Sequence, residues 1–242
     1  MITLYPWPGR ARADYAYLAN SPLVGQILFT NNGAQRMTTT RQFDALNRLT
    51  RIASAGGTGS TLAAFAYAYN DANQRTRVDL ADGSFWLYEY DALGQVRSGK
   101  RYWSDWTPVA GQQFEYGFDA IGNRTGAKAG GDATGGTLRP AGYTANLLNQ
   151  YTSRTVPGGF DVLGLARGDN PSLAVNGQPP DRRGEYFRKE LAVDNSASAL
   201  WTNIIVTATG ESPVSGNVFV PKTPEAFTHD ADGNLLSDGR WN

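Results

Sequence analysis

The segment Lys100-Arg101-Tyr102-Trp103-Ser104-Asp105-Trp106-Thr107-Pro108 sets three aromatic rings among hydrogen-bonding side chains. Rings exposed beside polar groups form a platform for the apolar face of a sugar or for a protein partner, so Tyr102, Trp103 and Trp106 are the candidate ligand contacts. The same rings also suit packing on a sheet or capping its edge. A second cluster, Asp230-Ala231-Asp232-Gly233-Asn234 with Asp238 beyond, resembles acidic cation-binding loops. It lacks the twelve-residue alternation of oxygen ligands and the closing Glu that a calcium loop needs, so it reads as a turn.

Other reactive groups are few. The chain has no Cys and a single His, His229, which excludes disulfides, thiolate metal sites and His-rich metal centres. One His and no Gly-x-Ser-x-Gly elbow leave no hydrolytic triad. A glycosidase needs only two carboxylates, but Glu89 and Glu115 alternate with aromatic residues and most placeable Asp residues form turns. The expectation is therefore no catalytic residue, no metal and no cofactor, with glycoside hydrolysis the weakest reading carried. Lys plus Arg total 22 and Asp plus Glu total 22, so nothing draws the chain to nucleic acid. No apolar stretch approaches the roughly 18 residues of a membrane span, and the first 25 residues carry no secretory leader pattern. An export signal is expected outside this chain or of another kind.

The elements that must hold these residues are short strands. With 28 Gly, 12 Tyr, 10 Phe and 6 Trp in 242 residues, the composition favours strands joined by tight turns. Five segments share one template: Phe43-Asp44-Ala45-Leu46-Asn47-Arg48, Tyr69-Asn70-Asp71-Ala72-Asn73-Gln74, Tyr90-Asp91-Ala92-Leu93-Gly94-Gln95, Phe118-Asp119-Ala120-Ile121-Gly122-Asn123 and His229-Asp230-Ala231-Asp232-Gly233-Asn234. Asp at the second place accepts a backbone N–H two residues on, and Gly or Asn at the fifth tolerates φ > 0. That describes a type I turn closed by a left-handed residue, a common hairpin connection. Asp44, Asn47, Asn73, Asp91, Gly94, Asp119, Gly122, Asp230 and Gly233 are accordingly the structural turn residues.

Before the turns the aromatics alternate in the strand period: Phe65, Tyr67 and Tyr69; Trp86, Tyr88 and Tyr90; Phe114, Tyr116 and Phe118. These ladders are expected in a core, and Asp82-Gly83 reads as a two-residue hairpin turn. The anchors fall at 43, 69, 90, 118 and 229, so the steps are 26, 21, 28 and 111, and the last requires an insertion. The run Gly130-Gly131-Asp132-Ala133-Thr134-Gly135-Gly136 reads as a flexible crossing or a long hairpin loop.

The aromatic-x-aromatic-Asp-Ala-x-Gly-Asn-Arg pattern resembles the YD repeat of bacterial Rhs and wall-associated proteins, toxin-complex shells and animal teneurins. Thr40–Thr50 and Phe227–Leu235 carry it most closely, and the resemblance covers about residues 28–128 and 226–242. It implies a long β-sheet that spirals into a hollow shell, either enclosing a toxic C-terminal domain or serving as an adhesion surface. The Asp-Pro-x-Gly segment of the family's toxin-bearing members is missing, and Asp238–Asn242 stop just after a turn signal, so a truncated chain is expected. Between 160 and 224, short apolar runs separated by turns such as Asn176-Gly177 fit a small β-sandwich, and this stretch resembles bacterial immunoglobulin-like modules.

The expected architecture is all-β: an antiparallel YD-repeat hairpin sheet, spiral or shell-like, with an inserted small β-sandwich. Its parts are an N-terminal flank (1–27), the repeat sheet (28–159), the inserted module (160–224) and a resumed, truncated repeat (225–242). The expected role is a non-enzymatic scaffold, a section of a bacterial secreted or cell-surface shell. Its partners would be the remainder of a longer repeat chain and a carbohydrate or cell-surface protein. A carbohydrate-binding adhesion module is the alternative.

Overall fold

The computed structural model describes residues 11–168 and 172–240. The first ten residues of the expected flank, and Trp241-Asn242 at the expected truncation, lie outside the described residues.

Strands joined by tight turns make up the first part of the chain: β1 (Ala11–Tyr17), β2 (Val24–Asn31), β3 (Ala34–Phe43), β4 (Leu49–Gly56), β5 (Thr61–Tyr69) and β6 (Arg75–Leu80). The series continues through β7 (Phe85–Tyr90), β8 (Val96–Tyr102), β9 (Pro108–Phe118), β10 (Arg124–Gly130), β11 (Leu138–Ala145) and β12 (Tyr151–Arg154). Shorter elements follow: β13 (Gly159–Leu165), β14 (Ala174–Val175), β15 (Asp181–Arg183), β16 (Tyr186–Ala192), β17 (Leu200–Thr207) and β18 (Val214–Val220). The chain closes with β19 (Glu225–Ala226), β20 (Thr228–His229) and β21 (Leu235–Ser237).

The fold is all-β, with no helix among the described residues. β1 to β12 lie in sequence order in one 13-stranded antiparallel sheet that β19 completes. The sheet begins earlier than the repeat pattern indicated. β1 belongs to the segment read as a flank, yet Ala11–Tyr17 pairs in register with Asn31–Val24. Ladder hydrogen bonds need no particular turn residue, so a strand without the template escapes a search built on it.

The chain divides into two compact units, residues 1–88 with 101–106, and residues 89–100 with 107–242. In the first, Ile27, Val78 and Phe85 are buried. The aromatic ladders are not a buried core. Phe65 is 39% exposed, and Tyr67, Tyr69, Trp86 and Tyr88 are half-buried. Arginines lie over them: the Arg75 guanidinium is 4.0 Å from the Tyr67 ring centre and that of Arg48 is 4.9 Å from Tyr69. A guanidinium keeps hydrogen bonds to water while its stem covers apolar surface, so such a face needs no second layer to be tolerated.

In the second unit, β13, β16 and β15 form one three-stranded sheet, and β14, β17 and β18 another. Both contribute to one apolar cluster, with Leu173, Val175 and Phe187 buried against Val162, Leu191, Ile204 and Val206. Asn176 and Gly177 both take positive φ, 47° and 74°, as a two-residue hairpin turn requires. A buried ionic network joins this region to β11: Arg139 reaches Asp161 at 2.5 Å, Arg188 reaches Asp161 at 2.6 Å, and both arginines reach Glu190. The Tyr186 hydroxyl also donates to the Ala110 carbonyl of β9 at 2.6 Å. The chain then returns to the long sheet, where β19 pairs with β12 through Ala226 opposite Ser153 and Glu225 opposite Arg154.

Candidate functional site

The repeated turns share one geometry. In the first, Asp44 N–H donates to the Arg48 carbonyl at 3.0 Å, and Asn47 N–H donates back to the Asp44 carbonyl at 3.0 Å. Asp44 Oδ1 accepts the N–H groups of Leu46 and Arg48, both at 2.9 Å. Asp91, Asp119 and Asp230 accept from the same two places in their own turns. The fifth residue is left-handed each time: Asn47 at φ 62°, Asn73 at 61°, Gly94 at 82°, Gly122 at 94° and Gly233 at 89°. In three of these turns the donors favour the ionised carboxylate. Asp44 lies below the ordinary Asp range chiefly through the Arg48 side chain, Asp119 through Asn123 and Asp230 through Asn234.

Two more copies escaped the sequence template. Asn146-Leu147-Leu148-Asn149-Gln150 makes the same bonds with Asn149 at φ 62°, but Ala145 occupies the aromatic place. Asp132–Gly136 repeats them inside the glycine-rich run, which is thus a tight turn between β10 and β11. Asp82-Gly83 corrects the reading of a two-residue turn: only Gly83 has positive φ, and Leu80 N–H donates to the Ser84 carbonyl at 2.9 Å, so this too is the longer type.

The sixth place of the template links successive turns. Arg48 Nη1 donates to Asn73 Oδ1 of the following turn at 2.8 Å. In the second unit Asn123 Nδ2 donates to Asn149 Oδ1 at 3.2 Å. Gln95 Nε2 stands 3.1 Å from where a Cβ on Gly122 would lie, and Gln150 Nε2 3.2 Å from the corresponding point on Gly233. The sixth-place side chains of Arg48, Gln95, Asn123 and Gln150 therefore rest against the left-handed residue of the next turn. The last of these contacts steps across the entire insertion.

Tyr102, Trp103 and Trp106 lie where β8 turns towards β9. Trp106 N–H donates to the Trp103 carbonyl at 2.9 Å, and Trp106 itself sits at φ 69° with 60% of its surface exposed. A left-handed tryptophan has no local stabilising hydrogen bond of the Asn type, so the surrounding structure must hold it there. It packs edge-on against the buried Phe85 ring at 4.8 Å; Tyr102 stacks on Phe85 at 5.7 Å and stands 6.3 Å from Trp106. Trp103 is half-buried at the start of the same turn.

Sequence reasoning missed Arg77 and Arg101 at this corner. Arg77 lies 3.9 Å from the Phe85 ring centre and 5.6 Å from that of Trp106. Arg101 holds Asp82 at 2.8 Å and Ser84 at 2.7 Å. The visible signal was the alternation of Arg75, Arg77 and Asp79 along β6. The corner offers an indole face beside a guanidinium, which suits contact with a ligand.

The carboxylates weighed for glycoside hydrolysis are engaged elsewhere. Glu115 lies between Lys100 at 2.7 Å and Lys128 at 3.2 Å, and the Lys100 hydrogen bond lowers its pKa. Glu89 accepts from the Ser98 hydroxyl at 2.9 Å. No cluster of three or more His, Asp or Glu suited to a metal occurs among the described residues.

Residues 69–105 match the family model described as RHS Repeat. That match covers 37 of the 242 residues. The matched repeat opens at the Tyr69 turn, passes through β6, β7 and β8, and ends in the Trp103–Trp106 turn, so the aromatic corner lies at its C-terminal end. Among solved structures the chain is similar to the crystal structure of TcdB2-TccC3-Cdc42, at 12% identity and a TM-score of 0.39 over 94% of this chain and 14% of that one. It is also similar to TcdB2-TccC3 without its hypervariable C-terminal region, at 14% identity and a TM-score of 0.39 over 94% of this chain and 12% of that one. The chain thus spans 14% and 12% of the length of these two. No curated protein sequence matches it.

Proposed function

We propose that this chain is a non-enzymatic scaffold, a section of a secreted or cell-surface bacterial RHS-repeat wall that continues in a longer repeat chain. The observation that carries the reading is the link between turns, in which the sixth residue of one hairpin rests on the fifth of the next. Such a device adds hairpins side by side and stabilises each only through its neighbours, as in a quasi-one-dimensional array. Residues 160–224 form an immunoglobulin-like module hung between two linked turns. The clamping of Glu115 between two lysines disfavours it as a general acid, because an ionised, charge-paired carboxylate is a poor proton donor.

The test is detection of the endogenous protein in the producing cells. A polypeptide larger than 26.2 kDa, removed by protease added to intact cells, is the expected result. A protease-resistant cytosolic band of that mass would refute both the exported location and the longer chain.

A second reading rests on Trp106, whose exposed ring is held at positive φ. Strain of this kind concentrates at ligand-contacting positions. Tyr102, Trp103 and Trp106 then form a carbohydrate or cell-surface contact. Binding on a glycan array that disappears on replacing Trp103 and Trp106 together by Ala is expected; binding indifferent to both replacements refutes the reading.

A further inference from the structure

The outer face of β17 and β18 carries a pattern that neither the repeat nor the apolar cluster uses. β17 alternates strictly, with Leu200, Thr202, Ile204 and Val206 half-buried and Trp201, Asn203, Ile205 and Thr207 exposed. Cross-strand pairing puts Phe219 opposite Trp201, Asn217 opposite Asn203 and Ser215 opposite Ile205, so these side chains share one face. Trp201 is 74% exposed, and its ring lies 5.3 Å from that of Phe219. Beside the two rings, Asn203 Nδ2 approaches Asn217 Oδ1 at 3.4 Å, and both exposed amides retain polar atoms turned to solvent.

Phe219 also lines a cavity of about 320 Å³, together with Pro221, Lys222, Pro224, Glu225 and Arg240. Its volume lies within the range of roughly 300–1,000 Å³ typical of small-ligand clefts. Glu225, only 4% exposed, is neutralised by Arg154 and by Arg240 at 2.6 Å, and the Arg240 guanidinium lies 5.4 Å from the Phe219 ring centre. Asp238 accepts the Arg240 backbone N–H at 2.8 Å. Lys222 is exposed and has no ion-pair partner among the described residues. Of the two cations lining the cavity, Arg240 is paired with Glu225 while Lys222 stands exposed.

We propose that this face is a binding site for an acidic saccharide. Trp201 stacks on the apolar face of a sugar ring, the Asn203 and Asn217 amides bond its hydroxyls, and Lys222 pairs with a carboxylate on a residue lodged in the cavity. An apolar protein partner would leave both amides desolvated and unpaired, which costs binding free energy. A neutral glycan would leave Lys222 without a counter-charge. The site is separate from Trp106 and stands whether or not that corner binds anything.

The experiment is affinity electrophoresis of the full chain in native gels containing polygalacturonate, hyaluronate or, as the neutral control, dextran. Retardation by at least one acidic polysaccharide is expected, weakening as salt rises. Trp201→Ala should raise the apparent Kd about tenfold, with partial rescue by Trp201→Phe, while Trp106→Ala leaves it unchanged. Lys222→Ala should weaken binding and flatten its salt dependence. No retardation by either acidic gel, or retardation equal in wild type and Trp201→Ala, overturns the site. Equal retardation by dextran overturns the assignment of an acidic ligand. Loss of binding in Trp106→Ala with Trp201→Ala unaffected would place the contact at the repeat's corner instead.

Discussion

At Gly122 the backbone sits at φ 94°, and an added Cβ would meet Gln95 Nε2 at 3.1 Å. Replacement by Val therefore combines a left-handed β-branched residue with displacement of the linking side chain, and should cost about 1–3 kcal/mol in urea unfolding. An unchanged urea midpoint would mean that the turn relaxes without loss. Asp132 gives a second test at this scale. The Thr134 hydroxyl, then the Thr134 N–H, the Thr137 hydroxyl and the Gly136 N–H, hold its pKa at about 2 instead of 3.8. A folded-state pKa below the unfolded one stabilises the fold fully above pH 3.8, and that stabilisation is lost as pH falls towards 2. The urea midpoint should drop between pH 5 and about 2.5, and drop less in Asp132→Asn; parallel declines would show that this carboxyl contributes nothing. The turn residues were legible in sequence because positive φ selects Gly and Asn. Trp106 was legible as an aromatic ligand candidate but not as a left-handed residue, since tryptophan has no preference that announces that conformation.

Hairpins are joined by side chains at the scale of the element. Arg48 bonds Asp44 at 2.7 Å in its own turn and Asn73 at 2.8 Å in the next, so Arg48→Ala removes the bond within the turn and the bond between turns. A loss of about 1–3 kcal/mol is expected from these charge-assisted bonds, with Arg48→Lys recovering only part because a single ammonium cannot reproduce the guanidinium fork. Full recovery by Lys would reduce the link to charge alone. The strands and their alternation could be read from the chain, but the burial of their faces could not. Aromatics at Phe65, Tyr67 and Tyr69 look like core by periodicity, whereas the structure leaves Phe65 39% exposed and sets Tyr67 and Tyr69 half-buried beneath Arg75 of β6 and Arg48 of the first turn. Periodicity reports which residues share a face and carries no information about what lies over it. The Asn146–Gln150 turn stayed hidden for a related reason, as Ala145 breaks the aromatic signature while leaving the backbone geometry intact.

Across the described residues, β1 to β12 follow sequence order until the insertion, after which β19 rejoins beside β12 as the thirteenth strand and the turn at Asp230 lies against Gln150. The 111-residue gap between template turns made an insertion legible, while the exposed ring of Trp201 within it drew no attention because it lies outside the repeat. If hairpins add by turn-to-turn linking, the chain should accept another one. The decisive measurement is urea unfolding and limited proteolysis of a variant carrying a second, tandem copy of residues 119–145. The account predicts a protease-resistant extended chain whose m-value rises with the added buried surface and whose midpoint does not fall. A lowered midpoint with selective cleavage inside the duplicated hairpin would contradict it.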